Sequence, residues 1–300
     1  AQSGTEMLLL APLWLTMAST LAASARGVEA GARYVAHSAR YIRRGHGLRP
    51  PSPLRSRLGR TIRATGTSER VLSQMEADTE RQEEGAEFAK MIWRVQDTLV
   101  GEMESLEGPE GAKFNKLPWQ REPSTTSGGQ GRTCVLEDGS IFEKAAIGVS
   151  IIHGELSPER AKAMSSRGRP AAPGGKYSAA ALSLVFHPKS PKVPTFRADV
   201  RMFSLGGEDT WYGGGADLTP NYLDEEDAKD FHSFWKDVCD RHGTSFYADF
   251  KKQCDEYFYL PARKEHRGIG GIFFDDIPGS PGTLALVRDV AESWMGSYRP

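Results

Sequence analysis

Two short segments hold the side chains best suited to chemistry. In residues 195–201 (TFRADVR) polar and apolar residues alternate. A strand there puts Arg197, Asp199 and Arg201 on one face and Phe196, Ala198 and Val200 on the other. Two guanidiniums on one face, with Asp199 between them to hold both, form a fork suited to carboxylates; a solvated face with ordinary ion pairs has the same pattern. The second segment is Gly213-Gly214-Gly215-Ala216-Asp217. Three glycines after a strand-like run predict a tight bend, from which Asp217 emerges to accept hydrogen bonds from N–H donors of a ligand, or to cap the turn. The G-x-G-x-x-G spacing and a GK[ST] sequence are both missing, which argues against a phosphate cradle.

Other polar residues are less suggestive. His153, His187, His232 and His266 lack metal-ligand spacing. Asp275 and Asp276 are adjacent, so a strand sends them to opposite faces and predicts capping or salt-bridge roles. Cys134, Cys239 and Cys254 are odd in number and widely spaced, without a CxxC pair, and read as buried reduced thiols. Trp119-Gln120-Arg121-Glu122 followed by SGGQG (127–131) reads as a mobile flap.

Elements to position these groups follow from periodicity. Phe88, Met91, Ile92, Val95 and Leu99 repeat at helical spacing, predicting one long helix over 70–106. Residues 107–132 read as loop, and 135–144 as a hairpin turning at Asp138-Gly139. A helix is expected from Ser157 to Met164, then a mobile Gly/Pro/Ala-rich loop over 165–175. Strands are expected at 177–187, 195–203, 209–215 and 268–277. Asp224 is a candidate N-cap for a helix with Phe231, Phe234, Trp235 and Val238 inward, closed by Gly243. Further helices are expected over 245–259 and 282–295. The pattern predicts an α+β fold with a mainly antiparallel sheet.

The chain has 300 residues, 39% apolar and 26% charged, enough for a sizeable core. Its net charge of −1 hides an asymmetry: residues 1–70 carry 11 Arg, no Lys and three Glu, a net +8, which leaves −9 for the rest. An acidic body argues against a nucleic-acid partner. From Met7 an apolar run of about eleven residues is too short to span a bilayer, but suits a signal segment, with the small residues ASTLAASA after it. Residues 31–68 hold nine Arg and no acid, the composition of a transit peptide. Residues 1–68 are therefore expected to be a targeting leader outside the folded body and 69–300 the functional domain. Signal-like then transit-like segments point to a plastid; a single mitochondrial presequence is the alternative.

Taken together, WQRE with its Gly-rich tract, VLEDGSIFEKAAIGVSIIHG, LSLVFHPKSPKVPTFRADVRMF, WYGGGADLTPNYL, FHSFWKDVCDRHG and RGIGGIFFDD resemble the oxygen-dependent coproporphyrinogen III oxidases from about residue 88 to residue 300. The resemblance implies a large antiparallel sheet with helices on both faces, and conversion of two propionates of coproporphyrinogen III to vinyls, giving protoporphyrinogen IX for haem and chlorophyll. It implies dioxygen as co-substrate, no organic cofactor and a homodimer. It places Arg201 on a substrate propionate and Asp217 on the pyrrole N–H groups, with Ser183, Asp199 and Val200 at further substrate-contact positions.

This sequence departs from the family pattern PT-x-H-x-N-x-R. Arg197 stands where the family has a His assigned as proton donor, and Asp199 where it has Asn. Arginine keeps its proton at any working pH and is a poor general acid, so Arg197 is expected to act as a second propionate clamp. Of four His proposed as metal ligands in some members, His187 and His232 remain, and Arg197 and Ala262 replace the others, so no four-His metal site can form. Family members also continue past the position of Pro300, and the resemblance marks this chain as a partial domain. A tetrapyrrole-binding paralogue without turnover is the alternative function.

Overall fold

The computed structural model describes residues 67–122, 127–166, 168–207 and 209–299, with side chains from residue 83 onward. The expected leader, residues 1–68, lies outside the described residues except for its last two. These open helix α1 (Thr67–Glu107), which matches the helical repeat and buries Phe88, Met91, Ile92, Val95 and Leu99.

Seven strands form one sheet: β1 (Asn115–Gln120), β2 (Gly128–Glu137), β3 (Phe142–Glu155), β4 (Lys176–Pro188), β5 (Thr195–Leu205), β6 (Asp209–Thr219) and β9 (Gly270–Pro278). Their spatial order follows the chain, β1-β2-β3-β4-β5-β6-β9, and every pair is antiparallel. A small ladder of β7 (Tyr259–Leu260) and β8 (Glu265–His266) precedes β9. Helix α2 (Pro158–Ser166) lies between β3 and β4; α3 (Glu225–Asp240) and α4 (Phe246–Tyr257) follow β6; α5 (Pro281–Glu292) and α6 (Trp294–Tyr298) follow β9. Among the described residues no helix is long and apolar enough to cross a membrane.

The two sheet faces differ because side chains alternate along each strand. One face carries Ile147, Leu182, Val200, Tyr212, Ile272 and Phe274, and α1, α3 and α5 cover it in a continuous core. Among the described residues, the opposite face carries two apolar clusters. At one end Leu156 and Ala161 of α2 pack with Tyr177, Phe203 and Leu205; along the β9 edge Cys254, Tyr257 and Phe258 pack on Phe273. Between these lies a polar strip floored by small residues.

Several expectations hold in detail. Asp224 caps α3, its Oδ1 accepting from the N–H groups of Glu226 and Asp227 at 2.8 and 3.3 Å. The β2–β3 turn falls at Asp138, whose φ is 55°. The turn is held by Glu107 at the end of α1, which accepts the N–H groups of Ser140, Ile141 and Phe142 and the Ser140 hydroxyl. All three cysteines are buried free thiols; burial pushes Cys239 and Cys254 up to about 12.

Two readings need correction. The stretch 107–132 is not all loop: β1 and β2 pair through Trp119↔Gly131 and Gln120↔Gln130, so the four glycine-rich residues Gly128–Gly131 lie in a strand, while residues 123–126 fall outside the described residues. A Cβ on Gly131 would sit 2.4 Å from the Trp119 ring and 2.1 Å from the Val149 carbonyl; the glycine serves close packing here, which local composition does not reveal. The last helix is interrupted at Ser293, where α5 ends and α6 begins.

Candidate active site

The polar strip is built mainly by three adjacent strands. Alternation along β5 puts Arg197, Asp199 and Arg201 on the open face, as the pattern predicts, and β6 adds Gly213, Gly215 and Asp217 as their register partners: Arg201↔Gly213, Asp199↔Gly215, Arg197↔Asp217. From β4, Ser183 pairs with Asp199. The expected glycine bend is absent. Gly213, Gly214 and Gly215 lie inside β6, and none has a left-handed φ. Space excludes side chains there: a Cβ on Gly213 would meet Asp275 Oδ1 at 2.6 Å and Arg201 Nε at 2.7 Å, and one on Gly215 the Ile272 carbonyl at 2.5 Å. The tract lets Arg201, Asp275 and the β9 backbone pack directly against β6.

Asp217 is 3% exposed and accepts a hydrogen bond from Arg267 Nη2 at 2.7 Å. Burial raises its carboxyl above the usual range, against the opposing charges of Arg267 and Arg197. Arg267 arrives from the segment between β8 and β9 and lies 3.9 Å over the Phe258 ring. Gly268 beside it adopts φ 61°, and a Cβ there would be 2.2 Å from the Leu218 carbonyl; only glycine lets this segment pass so close to β6.

At the other end of the strip Arg201 Nη1 donates to Asp199 Oδ2 at 2.5 Å, and its Nη2 lies 3.3 Å from Asp275 Oδ1. Burial would lower the Arg201 pKa, but Asp199 and Asp275 raise it well above its ordinary value. Asp276 turns the other way, with φ 58°, and pairs with Arg169 at 3.4 Å. Both aspartates thus form the expected salt bridges, and Asp275 joins the site through Arg201. Arg197 differs from both of its neighbours on β5: burial and the nearby Arg267 charge lower its pKa, with Asp217 opposing them.

The Ser183 hydroxyl is buried and has no hydrogen-bond partner among the described residues. Val200 does not join the group through its side chain, which is fully buried in the core of the opposite face. The alternation that aligns the two arginines sends it away. His187 lies on the strip near Thr195 Oγ1 at 3.5 Å, its pKa lowered by burial and by Arg197. His232 has both ring nitrogens engaged, by the Ile269 carbonyl at 3.0 Å and the Tyr247 hydroxyl at 3.1 Å. Among the described residues no three His, Cys, Asp or Glu converge on a metal position.

A cavity of about 620 Å³ lies beside Leu223 and Asp230, and one of about 380 Å³ beside Trp93 and Trp119; neither includes the strip. Sequence reasoning missed Arg267 and Asp275 as members of the site. Arg267 lies 50 positions from Asp217, and its only local signal is the adjacent glycine-rich RGIGG.

Chemically, the strip can accept N–H donors at Asp217 and bind carboxylates at guanidinium groups, over a floor with little side-chain bulk. Comparison with known proteins is consistent with this. Residues 87–300 match the family model described as coproporphyrinogen III oxidase. The human oxygen-dependent coproporphyrinogen-III oxidase, mitochondrial, is 45% identical over 199 residues, covering 63% of this chain and 43% of the human protein. The mouse protein of the same name is 37% identical over 298 residues, 95% of this chain and 66% of its own length. Coproporphyrinogen-III oxidase 1, chloroplastic, of Arabidopsis thaliana is 40% identical over 226 residues, 72% and 57% respectively. The chain thus spans between 43% and 66% of these relatives.

Proposed function

Since the chain belongs to the coproporphyrinogen III oxidase family, we propose that it decarboxylates two propionates of coproporphyrinogen III to vinyls, giving protoporphyrinogen IX for haem and chlorophyll synthesis, with dioxygen as oxidant. Each conversion turns a CH2–CH2–COO⁻ arm into CH=CH2 and CO2, releasing one proton and two electrons; dioxygen takes the electrons. The observation that carries the reading is Asp217: a carboxylate 3% exposed, on the same sheet face as Arg197 and Arg201.

In this reading Asp217 accepts pyrrole N–H bonds and stabilises the positive charge that develops on the pyrrole as electrons leave. Burial raises its pKa, which improves it as a proton acceptor. Arg267 keeps it oriented. Ser183 supplies a hydroxyl with no partner among the described residues.

A second reading, tetrapyrrole binding without turnover, draws on Arg197, because a guanidinium cannot serve as proton donor at working pH. Import into a plastid rests on the composition of residues 1–68, with the mitochondrion as alternative; the relatives named above are mitochondrial or chloroplastic. A homodimer is proposed from the family resemblance. Coproporphyrinogen delivered anaerobically to the protein, followed by oxygen, tests the reading: vinyl product supports the oxidase, and binding without vinyl product supports the paralogue.

A further inference from the structure

The open face is electrically divided. Around Arg201 one guanidinium meets two carboxylates, Asp199 at 2.5 Å and Asp275 at 3.3 Å, so that end has a surplus negative charge. Around Arg197 two guanidiniums, Arg197 and Arg267, share one carboxylate, Asp217, whose hydrogen bond comes from Arg267 at 2.7 Å. His187, the other titratable group beside Arg197, is biased to its neutral form by burial and by Arg197 itself. Among the described residues the Arg197 guanidinium donates no hydrogen bond to a protein group, whereas the Arg201 fork is occupied on both sides.

We propose that Arg197, rather than Arg201, anchors a substrate carboxylate in this chain, so that the binding polarity of the sheet face is shifted by about 13 Å along β5 toward Asp217. Two substitutions act together. Aspartate at 199 closes the Arg201 fork, and arginine at 197 opens a new one. A carboxylate approaching Arg201 meets a net negative cluster, while one approaching Arg197 completes an otherwise unbalanced cationic pair. A half-buried guanidinium with no protein acceptor gains most from a bidentate ligand. The anionic arm next to Asp217 is thereby fixed by Arg197, while N–H donors of the ligand remain within reach of the carboxylates. The proposal rests on the tetrapyrrole reading above and assigns its specificity-determining contact.

The test uses coproporphyrin III, the oxidised tetracarboxylate, and its tetramethyl ester as the uncharged probe. Both are titrated by fluorescence against the full chain and the variants Arg197→Gln, Arg197→Lys and Arg197→Gln with Asp199→Asn. Arg197→Gln should weaken the acid by roughly tenfold to a hundredfold, the range of a charged hydrogen bond, and leave the ester unchanged. Arg197→Lys should retain part of the affinity. The double variant should regain part of it by freeing Arg201. The melting temperature of Arg197→Gln should be equal to or above that of the parent, which separates a lost anchor from a lost fold. Unchanged acid affinity in Arg197→Gln overturns the assignment. Equal binding of acid and ester by the parent chain overturns the carboxylate anchor but leaves tetrapyrrole binding standing. Binding of neither overturns the tetrapyrrole reading and the anchor with it.

Discussion

Arg197 and Asp217 face each other as register partners on β5 and β6, yet Asp217 takes its hydrogen bond from Arg267. The carboxylate is therefore oriented by a residue outside both strands, and the arginine directly opposite it remains available to a ligand. The same arrangement sets the sign of each electrostatic consequence at the site.

Replacing Asp217 by Asn should lower vinyl formation by about 10²-fold or more if the carboxylate handles a proton or stabilises the ring cation. Its folded-state pKa lies above the ordinary 3.8. Its contribution to stability is therefore fully present below pH 3.8 and is lost as pH rises through the higher folded value. The stability difference between parent and Asp217→Asn should accordingly fall as pH rises through that window. Denaturant titrations across the acid range measure it, and a difference independent of pH would contradict the raised pKa.

Glu107 has the opposite sign. Burial alone would raise its pKa, but hydrogen bonds from the Phe142 N–H, the Ser140 hydroxyl and the Ser140 and Ile141 N–H groups hold it below 4.5. Its stabilisation is present above pH 4.5 and lost as pH falls through the lowered value. Glu107→Gln keeps the shape but sets an NH2 against a row of donors. It should cost ~2 kcal/mol at neutral pH, and the cost should shrink on acidification. Equal melting temperatures for parent and variant at pH 7 would show that the turn holds without the carboxylate.

Much of this fold is legible in the sequence because its signals are local. The helical repeat of Phe88 to Leu99, the N-cap at Asp224 and the two-residue period of β5 each depend on neighbours within a few positions. The β5 period also places Arg197, Asp199 and Arg201 on one face and Val200 on the other; the expected Val200 contact came from the family resemblance and ran against that period. Features set by distant partners were not legible. Trp119 occupies the space beside Gly131 from the neighbouring strand, Arg267 reaches Asp217 across 50 positions, and Asp275 reaches Arg201 from β9. The glycine tract is the clearest case: three glycines favour a bend locally, but the carbonyl of Ile272 and the side chains of Arg201 and Asp275 keep them in an extended strand.

Gly215→Ala isolates that effect. Its Cβ would sit 2.5 Å from the Ile272 carbonyl, a backbone atom that moves only with β9. The substitution should destabilise by ~1–3 kcal/mol and lower activity by moving β9 away from Asp217. Gly101→Ala in α1 is the matching control: its Cβ meets nothing within 4 Å, and in a helix interior it should stabilise by about 0.5–1 kcal/mol. Opposite shifts in melting temperature are expected; a neutral Gly215→Ala would mean that the two strands separate freely.

Arg197→His restores the proton donor that the family resemblance assigns to this position and removes the proposed anchor in one step. The two effects separate kinetically. A positioned general acid is worth roughly 10²–10⁴-fold in the step it assists, so kcat should rise. Loss of the guanidinium removes a charged contact to the carboxylate, so KM should rise as well. The new imidazole would share the burial and the Arg267 charge that already lower the Arg197 pKa. Its pKa should therefore lie below the ordinary 6.5, and the gain in kcat should fade as pH rises through that lower value. A pH–rate profile that falls as pH rises through the imidazole pKa in Arg197→His, with no such fall in the parent, is the expected signature. A fall in kcat with KM unchanged would instead assign Arg197 a role in the chemical step itself, with the proton supplied from elsewhere on the strip.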